Sequence, residues 1–199
     1  MVKPLDQNIS RKDRILQAAG ELIVEVGWAN VTTRLIAKQA GVNNALIHYY
    51  FGTKDDLLFE AAGAVFAGEL SGPLEALSGA EHVADTMREL FSWLHSLDVR
   101  SPMMVVSMEV AHQAVRDERA RAWMRSLWTG YLDVFAGIIA SAQQRDEFPE
   151  SIDPRGAAIA IGALLDGLFL YRLADPDLEI DRVVSALSAL TEIMTKGNQ

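Results

Sequence analysis

The stretch TTRLIAKQAGVNNALIHYYFGTK, residues 32–54, decides how the N-terminal part of this chain folds. Its apolar residues recur at helical spacing on both sides of Gly41, so the pattern predicts two short helices joined by a tight turn. Thr32 or Thr33 is suited to cap the first of these helices and Asn43 the second, because their side-chain oxygens accept hydrogen bonds from free backbone N–H groups. Gly41 can take the left-handed conformation that such a turn requires. This arrangement predicts a helix-turn-helix, although many other helical hairpins match the pattern equally well.

Outward from this stretch, the same signals predict helices along nearly the whole chain, and nothing reads clearly as a strand. Ser10 with Asp13 is suited to cap the first helix, and Thr53 with Asp56 the fourth. Glycine, proline and serine between residues 72 and 79 predict a loop. The predicted helices span about residues 11–26, 33–40, 44–50, 54–70, 81–97, 101–116, 117–145, 154–174 and 180–196. We therefore expect an all-α chain of about nine helices.

Composition narrows the class of protein. The chain has 199 residues, half of them apolar, and no cysteine, which rules out a disulfide framework and thiolate metal sites. The polar start of the chain shows no signal-peptide pattern. No uncharged apolar run reaches the roughly 18–20 residues that span a bilayer. These observations predict a cytoplasmic protein without a membrane partner.

Charge is distributed unevenly along the chain. The net charge is −9, yet residues 1–54 hold seven basic against four acidic residues, so this segment is at +3 and the remainder at −12. A basic head on an acidic body indicates a head that meets phosphate groups. Chance clustering is an equally good explanation of the charge pattern alone.

The exact residues of the helix-turn-helix resemble one known family. Ile-Ala-x-x-Ala-Gly-Val at 36–42 is followed by aromatic-Tyr-Phe-Gly-x-Lys at 49–54, then by an acid and Leu57. Over about residues 10–60 this pattern resembles the tetracycline-repressor (TetR) family of transcriptional regulators. The resemblance implies a three-helix DNA-binding domain at 1–54 and a larger helical domain at 55–199 that binds a small effector and forms the dimer.

The resemblance also implies which side chains meet DNA. A homodimer is expected to read a roughly palindromic double-stranded operator, with the second helix of the motif in the major groove. Arg34 suits a guanine edge and Ala45 a thymine methyl group. The complete set of predicted DNA-binding residues is Thr33, Arg34, Asn43, Asn44, Ala45, His48, Tyr49 and Lys54.

Two of these positions depart from the family's commonest pattern. His48 stands where Tyr is usual, and a partly exposed polar residue without a DNA contact is the alternative interpretation there. Asn44 stands where Lys is frequent, so the phosphate contribution should be weaker and affinity should lean more on the N-terminal arm. Phe51 is expected to be a core residue that packs on the first helix.

Met, Trp and Phe are dense between residues 87 and 135. Methionine adapts to irregular shapes and aromatic walls line apolar pockets, which predicts an apolar or aromatic effector. Ordinary core packing is the alternative for any single residue. The residues predicted to bind the effector are Trp93, Met104, Met108, Trp128, Asp166 and Phe169.

The last two predicted helices suit a dimer interface. The helix at 154–174 is rich in glycine and alanine, which lets another helix approach closely, and the helix at 180–196 has an apolar side. Packing within one chain is the alternative.

The resemblance also implies how the protein responds to its effector. Effector binding is expected to move the fourth helix and so to separate the DNA-binding heads. On the same ground, repression is favoured over activation.

An enzyme and a helical interaction protein are the two alternatives to a regulator. An enzyme is disfavoured because there is no H-E-x-x-H, no phosphate-cradling glycine loop and no G-x-S-x-G, and the single Glu109/His112 pair does not make a metal site. We therefore predict no catalytic residue, no metal site and no cofactor. A helical interaction protein that has lost DNA binding is the remaining alternative. Thr33 and Lys54 argue against it, because a protein that no longer binds DNA is expected to lose such residues.

Overall fold

The computed structural model describes residues 10–79, 82–96, 98–183 and 185–186. Within these residues the chain is all-α, as predicted, with no strand. A short 3-10 turn, Trp28–Asn30, follows the first helix. The helices are α1 (Arg11–Val26), α2 (Thr33–Ala40), α3 (Asn44–Phe51), α4 (Lys54–Gly79), α5 (Val83–Ser96), α6 (Pro102–Ala114), α7 (Glu118–Gln144) and α8 (Pro154–Ala174). Backbone at 180–183 and 185–186 is also helical, and the rest of the predicted last helix lies outside the described residues.

The predicted helix caps are confirmed. The Ser10 hydroxyl accepts from the Asp13 N–H at 3.1 Å, and the Thr32 hydroxyl from the Leu35 N–H at 3.2 Å. Helix α2 ends at Gly41, whose φ of 65° is the left-handed conformation that favours glycine. Each short helix of the N-terminal segment therefore begins and ends where its own residues dictate.

The loop predicted at residues 72–79 is wrong. Helix α4 runs continuously to Gly79 with Pro73 inside it. A proline in a helix removes one backbone hydrogen bond, and it also crowds the Cβ of the residue before it. That preceding residue is Gly72, which has no Cβ, so the second penalty is reduced. Gly72 and Pro73 do disfavour a helix, but one lost hydrogen bond does not end a helix of 26 residues.

The described chain divides into two compact units. Unit 1 comprises residues 1–74 and 100–131, and unit 2 comprises residues 75–99 and 132–199. Helices α4 and α7 each begin in unit 1 and end in unit 2. The predicted domain boundary between residues 54 and 55 falls inside unit 1, at the first turn of α4, and remains a prediction.

Unit 1 places the helix-turn-helix against α1, and α1 against α6. The rings of Trp28 and Phe59 lie 5.0 Å apart, and Phe59 stacks on Trp123 of α7 at 5.7 Å. The backbone N–H of Trp28 donates to the carboxylate of Glu109 on α6 at 3.0 Å. The N-terminal segment is thus tied to α4, α6 and α7 by aromatic packing and one charge-assisted hydrogen bond.

Unit 2 is held by polar contacts around a small apolar cluster. Leu168 of α8 and Ile180 are buried together. Arg155 at the start of α8 pairs with Asp133 of α7. His95 of α5 lies 3.0 Å from the carboxylate of Asp181. These contacts connect α5, α7, α8 and the segment that follows α8.

Two helical segments, Lys54–Ala76 and Pro154–Ala174, are long and apolar enough to cross a bilayer by length and composition. This property is weak evidence for a membrane protein, because core helices of soluble proteins share it. The described residues therefore give no sound reason to assign either segment to a membrane.

We expect Gly20→Ala to destabilise the protein. A Cβ built at Gly20 lies 2.8 Å from Cγ2 of Val65, so either the Val65 side chain or the two helices must shift. Overpacking of this kind costs about 1–3 kcal/mol, which exceeds the gain of roughly 0.5–1 kcal/mol in helix propensity. Gly130→Ala is the control, since a Cβ there meets nothing within 4 Å. The free energy of unfolding in urea should be lower for Gly20→Ala than for the parent, and equal or higher for Gly130→Ala. Equal free energies for the two variants would contradict the close contact.

Candidate nucleic-acid interface

Helix α3 has one buried and one open face. Ile47 and Phe51, one turn apart, are buried, while Ala45, His48 and Tyr49 are exposed on the other side. Tyr49 is 80% exposed, and its ring meets the ring of Tyr50 edge-on with 5.4 Å between the centroids. The prediction that Phe51 is a core residue is confirmed.

The start of α3 is fixed by the cap predicted from the sequence. The Asn43 side chain accepts from the Ala45 N–H at 2.9 Å, so its oxygen is committed to the helix and its amide group is left to donate. Asn44 is half-buried, and its side-chain oxygen has no hydrogen-bond partner among the described residues. His48 Nδ1 lies 3.3 Å from the carbonyl oxygen of Gly52, which orients the imidazole toward the end of α3.

Helix α2 presents its basic residues on the side away from its core. Ile36, Ala37 and Ala40 are buried, whereas Arg34 is exposed. Thr33 is half-buried in the first turn of α2, where free backbone N–H groups favour an anion. Arg34 and Thr33 therefore lie in positions from which a nucleic-acid backbone or a base edge can be reached.

Lys54 occupies the first residue of α4, where the helix dipole disfavours a positive charge. Its ammonium group donates to the carbonyl oxygen of Val31 at 3.2 Å and bridges from α4 to the segment before α2. The side chain is half-buried rather than free in solvent. The eight predicted DNA-binding residues lie on α2, on α3 with its cap Asn43, and at the first residue of α4, and their contact with DNA remains a prediction.

The adjacent N-terminus of α1 shows contacts that the sequence did not reveal. Lys12 pairs with Glu60 at 2.5 Å and lies 5.5 Å above the ring of Phe51. Lys12 thus serves the packing of α1 on α3 and α4, and Arg11 beside it is exposed. No signal in the local sequence separates the two roles.

The first turn of α4 is also held from a distance. The Asp56 carboxylate accepts a hydrogen bond from the Thr53 hydroxyl, and this bond lowers the pKa of Asp56. Desolvation raises the pKa, whereas the ion pair with Arg119 of α7 lowers it further, so the net shift is downward. Arg119 lies 63 residues away in the chain, and Glu109 lies 81 residues from Trp28. Sequence reasoning missed both residues because nothing local marks such long-range partners.

The six predicted effector-binding residues are divided between the two compact units. Met104 is buried in α6, while Met108 of α6 and Trp128 of α7 are exposed, and these three residues belong to unit 1. Unit 2 contains the half-buried Trp93, the buried Phe169 and the exposed Asp166, whose pKa is raised by partial desolvation. Their joint role remains a prediction.

Two family models match the chain. The model of bacterial regulatory proteins of the TetR family matches residues 15–61, and the model of the BetI-type transcriptional repressor, C-terminal part, matches residues 83–195. The first match covers α2, α3 and the start of α4, where the predicted DNA-binding residues lie. The second match covers more than half of the chain.

Relatives agree with these family matches. The fatty acid metabolism regulator protein of Bacillus subtilis (strain 168) is 29% identical over 160 residues, which cover 77% of this chain and 78% of that protein. The structure of the transcriptional regulator FadR from Bacillus subtilis in complex with stearoyl-CoA has a TM-score of 0.66 and 24% identity, and covers 84% of this chain and 89% of that one. A transcriptional regulator from Saccharomonospora viridis in complex with choline has a TM-score of 0.69 and 24% identity, over 91% and 95% of the two chains.

Proposed function

Because the chain belongs to the TetR family of transcriptional regulators, we propose that it is a homodimeric repressor that binds a palindromic DNA operator and is released by a small-molecule effector. Its family and relatives are transcriptional regulators rather than enzymes. A protein of this class acts on DNA, and we place it in the cytoplasm.

The open face of α3 is the observation that carries the DNA-binding proposal. Ala45 and Tyr49 point away from the core on a helix that is anchored by Ile47 and Phe51. A helix presented in this way fits a major groove, where side chains near its N-terminus reach base edges. Lys54 supports the proposal, since a cation at a helix start weakens α4 but suits a phosphate contact.

An exposed apolar stripe on α8 supports a dimer. Small residues at 156, 160, 163 and 167 recur at helical spacing, and Leu170 continues the same side with 52% exposure. A second helix can approach such a surface closely, and its burial would remove exposed apolar area from water. Two recognition helices related by a two-fold axis would then lie about one DNA turn apart, at ~34–36 Å.

The effector is proposed to be a molecule with an apolar or aromatic body. The stearoyl-CoA in one relative carries a long alkyl chain, and the choline in another carries methyl groups around its charge. Trp93, Met104, Met108, Trp128, Asp166 and Phe169 are the proposed contacts. The effector can change DNA affinity only by binding one arrangement of the protein better than the other.

The rival proposal of a helical interaction protein without DNA binding has less support. Loss of DNA binding would remove the selection for an exposed Tyr49 and for Lys54 at a costly helix position. Both residues are present, and the helix-turn-helix retains its complete set of caps.

Selection of random double-stranded DNA on the full-length protein should enrich a two-fold symmetric motif. We expect Tyr49→Phe to weaken binding about threefold to tenfold through loss of one hydrogen bond. Tyr50→Phe on the same helix is the matched control and should stay within about twofold of the parent.

Arg34→Ala should relax specificity at one base pair and cost about 1–3 kcal/mol of binding free energy. Lys54→Ala should lower by about 1 the slope of the logarithm of the binding constant against the logarithm of the salt concentration. Absence of any enriched motif at low salt, with and without candidate effectors, would rule out the DNA-binding proposal.

Leu170→Glu should convert the dimer to a monomer. The change places a charge in the proposed interface, where an unpaired buried charge is strongly destabilising. Val115→Glu is the control, since Val115 is an exposed apolar residue at the end of α6. Sedimentation velocity should give twice the chain mass for the parent and Val115→Glu and the chain mass for Leu170→Glu. A monomeric parent protein would contradict the proposal.

Thermal-shift measurements should identify the effector class. Long-chain acyl-CoA thioesters, aromatic amines and choline esters are compared with small polar metabolites. An effector at one hundred times its Kd stabilises by about 2.7 kcal/mol, which raises Tm by roughly 5–10 °C in a chain of this size. A true effector should also release the selected DNA, and Trp128→Ala should reduce its effect while Val115→Ala, an exposed control at the end of α6, should not. Stabilisation by small polar metabolites alone would refute the apolar class.

A further inference from the structure

A cavity of about 560 Å³ lies on unit 1 and has no part in the functions proposed above. It is a groove lined by one face of α1, one face of α4 and Pro102 of α6. Its volume is in the range of small-molecule sites. The lining contains none of the predicted DNA-binding or effector-binding residues.

The floor of the groove is apolar. On α1 the lining side chains recur every three or four residues, and on α4 they do the same, so two helical stripes face each other. Leu16, Val24, Ala64 and Val65 supply apolar surface, and Gly68 leaves open space above the backbone, because a Cβ built there meets nothing within 4 Å. The floor can therefore accept an alkyl or aromatic body.

The rim of the groove is acidic. Asp13, Glu21 and Glu25 of α1 and Glu69 of α4 line it. Among the described residues, no lysine or arginine pairs with any of the four. Ser10, Gln17, Gln39 and the Met103 N–H donate hydrogen bonds to three of them, and none of these donors carries a positive charge. Asp13 lies in the first turn of α1 and Glu69 accepts from the first turn of α6, so the helix dipoles offset part of the charge of these two. Glu25 is exposed.

We propose that this groove, lined by the apolar stripes of α1 and α4 and rimmed by Asp13, Glu21, Glu25 and Glu69, binds a small organic cation with an extended apolar body. The carboxylates complement positive charge, and the floor takes the apolar part out of water. From Asp13 to Glu25 the acidic stripe is about 18 Å long, at 1.5 Å per helical residue. A ligand with positive charge at both ends and an apolar middle fits this arrangement best.

Decamethonium, two trimethylammonium groups joined by a ten-carbon chain, is the probe. Isothermal titration of the full-length protein should give one site per chain with a Kd on the order of 0.1 mM, the affinity expected for a ligand of this size. Decane-1,10-diol, which has the same chain without charge, should bind at least about tenfold more weakly, and the dianion sebacate should not bind. Raising the salt concentration should weaken decamethonium binding, because exposed charges are screened.

Two matched pairs of variants locate the site. Gly68→Leu fills the floor and keeps all four carboxylates, so it should weaken binding at least about tenfold, while Gly130→Leu on α7 should leave it unchanged. Glu25→Gln removes one rim charge and should weaken binding roughly threefold. Glu75→Gln, an exposed carboxylate of α4 outside the groove, should have no effect.

Several results would overturn the proposal. Equal binding of the diol would show a merely apolar surface, and an unchanged Kd in Gly68→Leu would place the cation elsewhere. Binding of a lysine-rich peptide without binding of decamethonium would replace the small molecule with a basic protein segment. These readouts do not depend on DNA binding or on the effector, so they stand or fall separately from the proposed repressor.

Discussion

Helices α2 and α3 carry most of the proposed DNA-binding residues, yet each has only eight residues. Helices of this length are not stable alone in water, because the cost of nucleation is not recovered over two turns. They persist here because Ile36 and Ile47 are fully buried and because capping residues satisfy their free N–H groups. The orientation of the recognition surface is therefore set by the core of unit 1.

Two residues of the proposed interface carry a cost in stability. Tyr49 exposes most of its ring, and Lys54 places a cation at the positive end of a helix. Lys54 recovers part of this cost through its hydrogen bond to the Val31 carbonyl, whereas the neighbouring Phe51 and Leu57 are buried as stability requires. Departures from the rules of stable folding tend to concentrate at functional sites, and here they lie side by side.

The sequence predicted the parts of the structure that local chemistry controls. Ser10, Thr32 and Asn43 were recognised as caps because their hydrogen bonds span only two or three residues. Contacts with Glu109 and Arg119 were not recognised, because their partners lie far away in the chain. The loop at 72–79 was predicted wrongly because Pro73 counts as a break in any local pattern, whereas the cost of one lost hydrogen bond is small beside the packing of a long helix.

The predicted effector-binding residues illustrate a harder limit. Tryptophan and methionine are equally suited to a core and to a pocket wall, so composition alone does not separate Met104, which is buried, from Trp128, which is 49% exposed. Only the three-dimensional arrangement of several helices makes a pocket. The sequence therefore indicated side chains suited to a site but had no means of assembling them, and their role in binding an effector remains a prediction.

The hydrogen bond that joins the N-terminal segment to α6 is similar in energy to a typical allosteric coupling free energy. A hydrogen bond to a charged group contributes about 1.5–3 kcal/mol, and the coupling between two ligands of an allosteric protein is about 1–3 kcal/mol. The bond from the Trp28 N–H to Glu109 is therefore by itself as large as the effect that an effector must produce. The tilted pair of Trp28 and Phe59 and the stacked pair of Phe59 and Trp123 join the same segment to α4 and α7. In the proposed repressor, making or breaking this one bond would therefore match the coupling expected between effector and DNA.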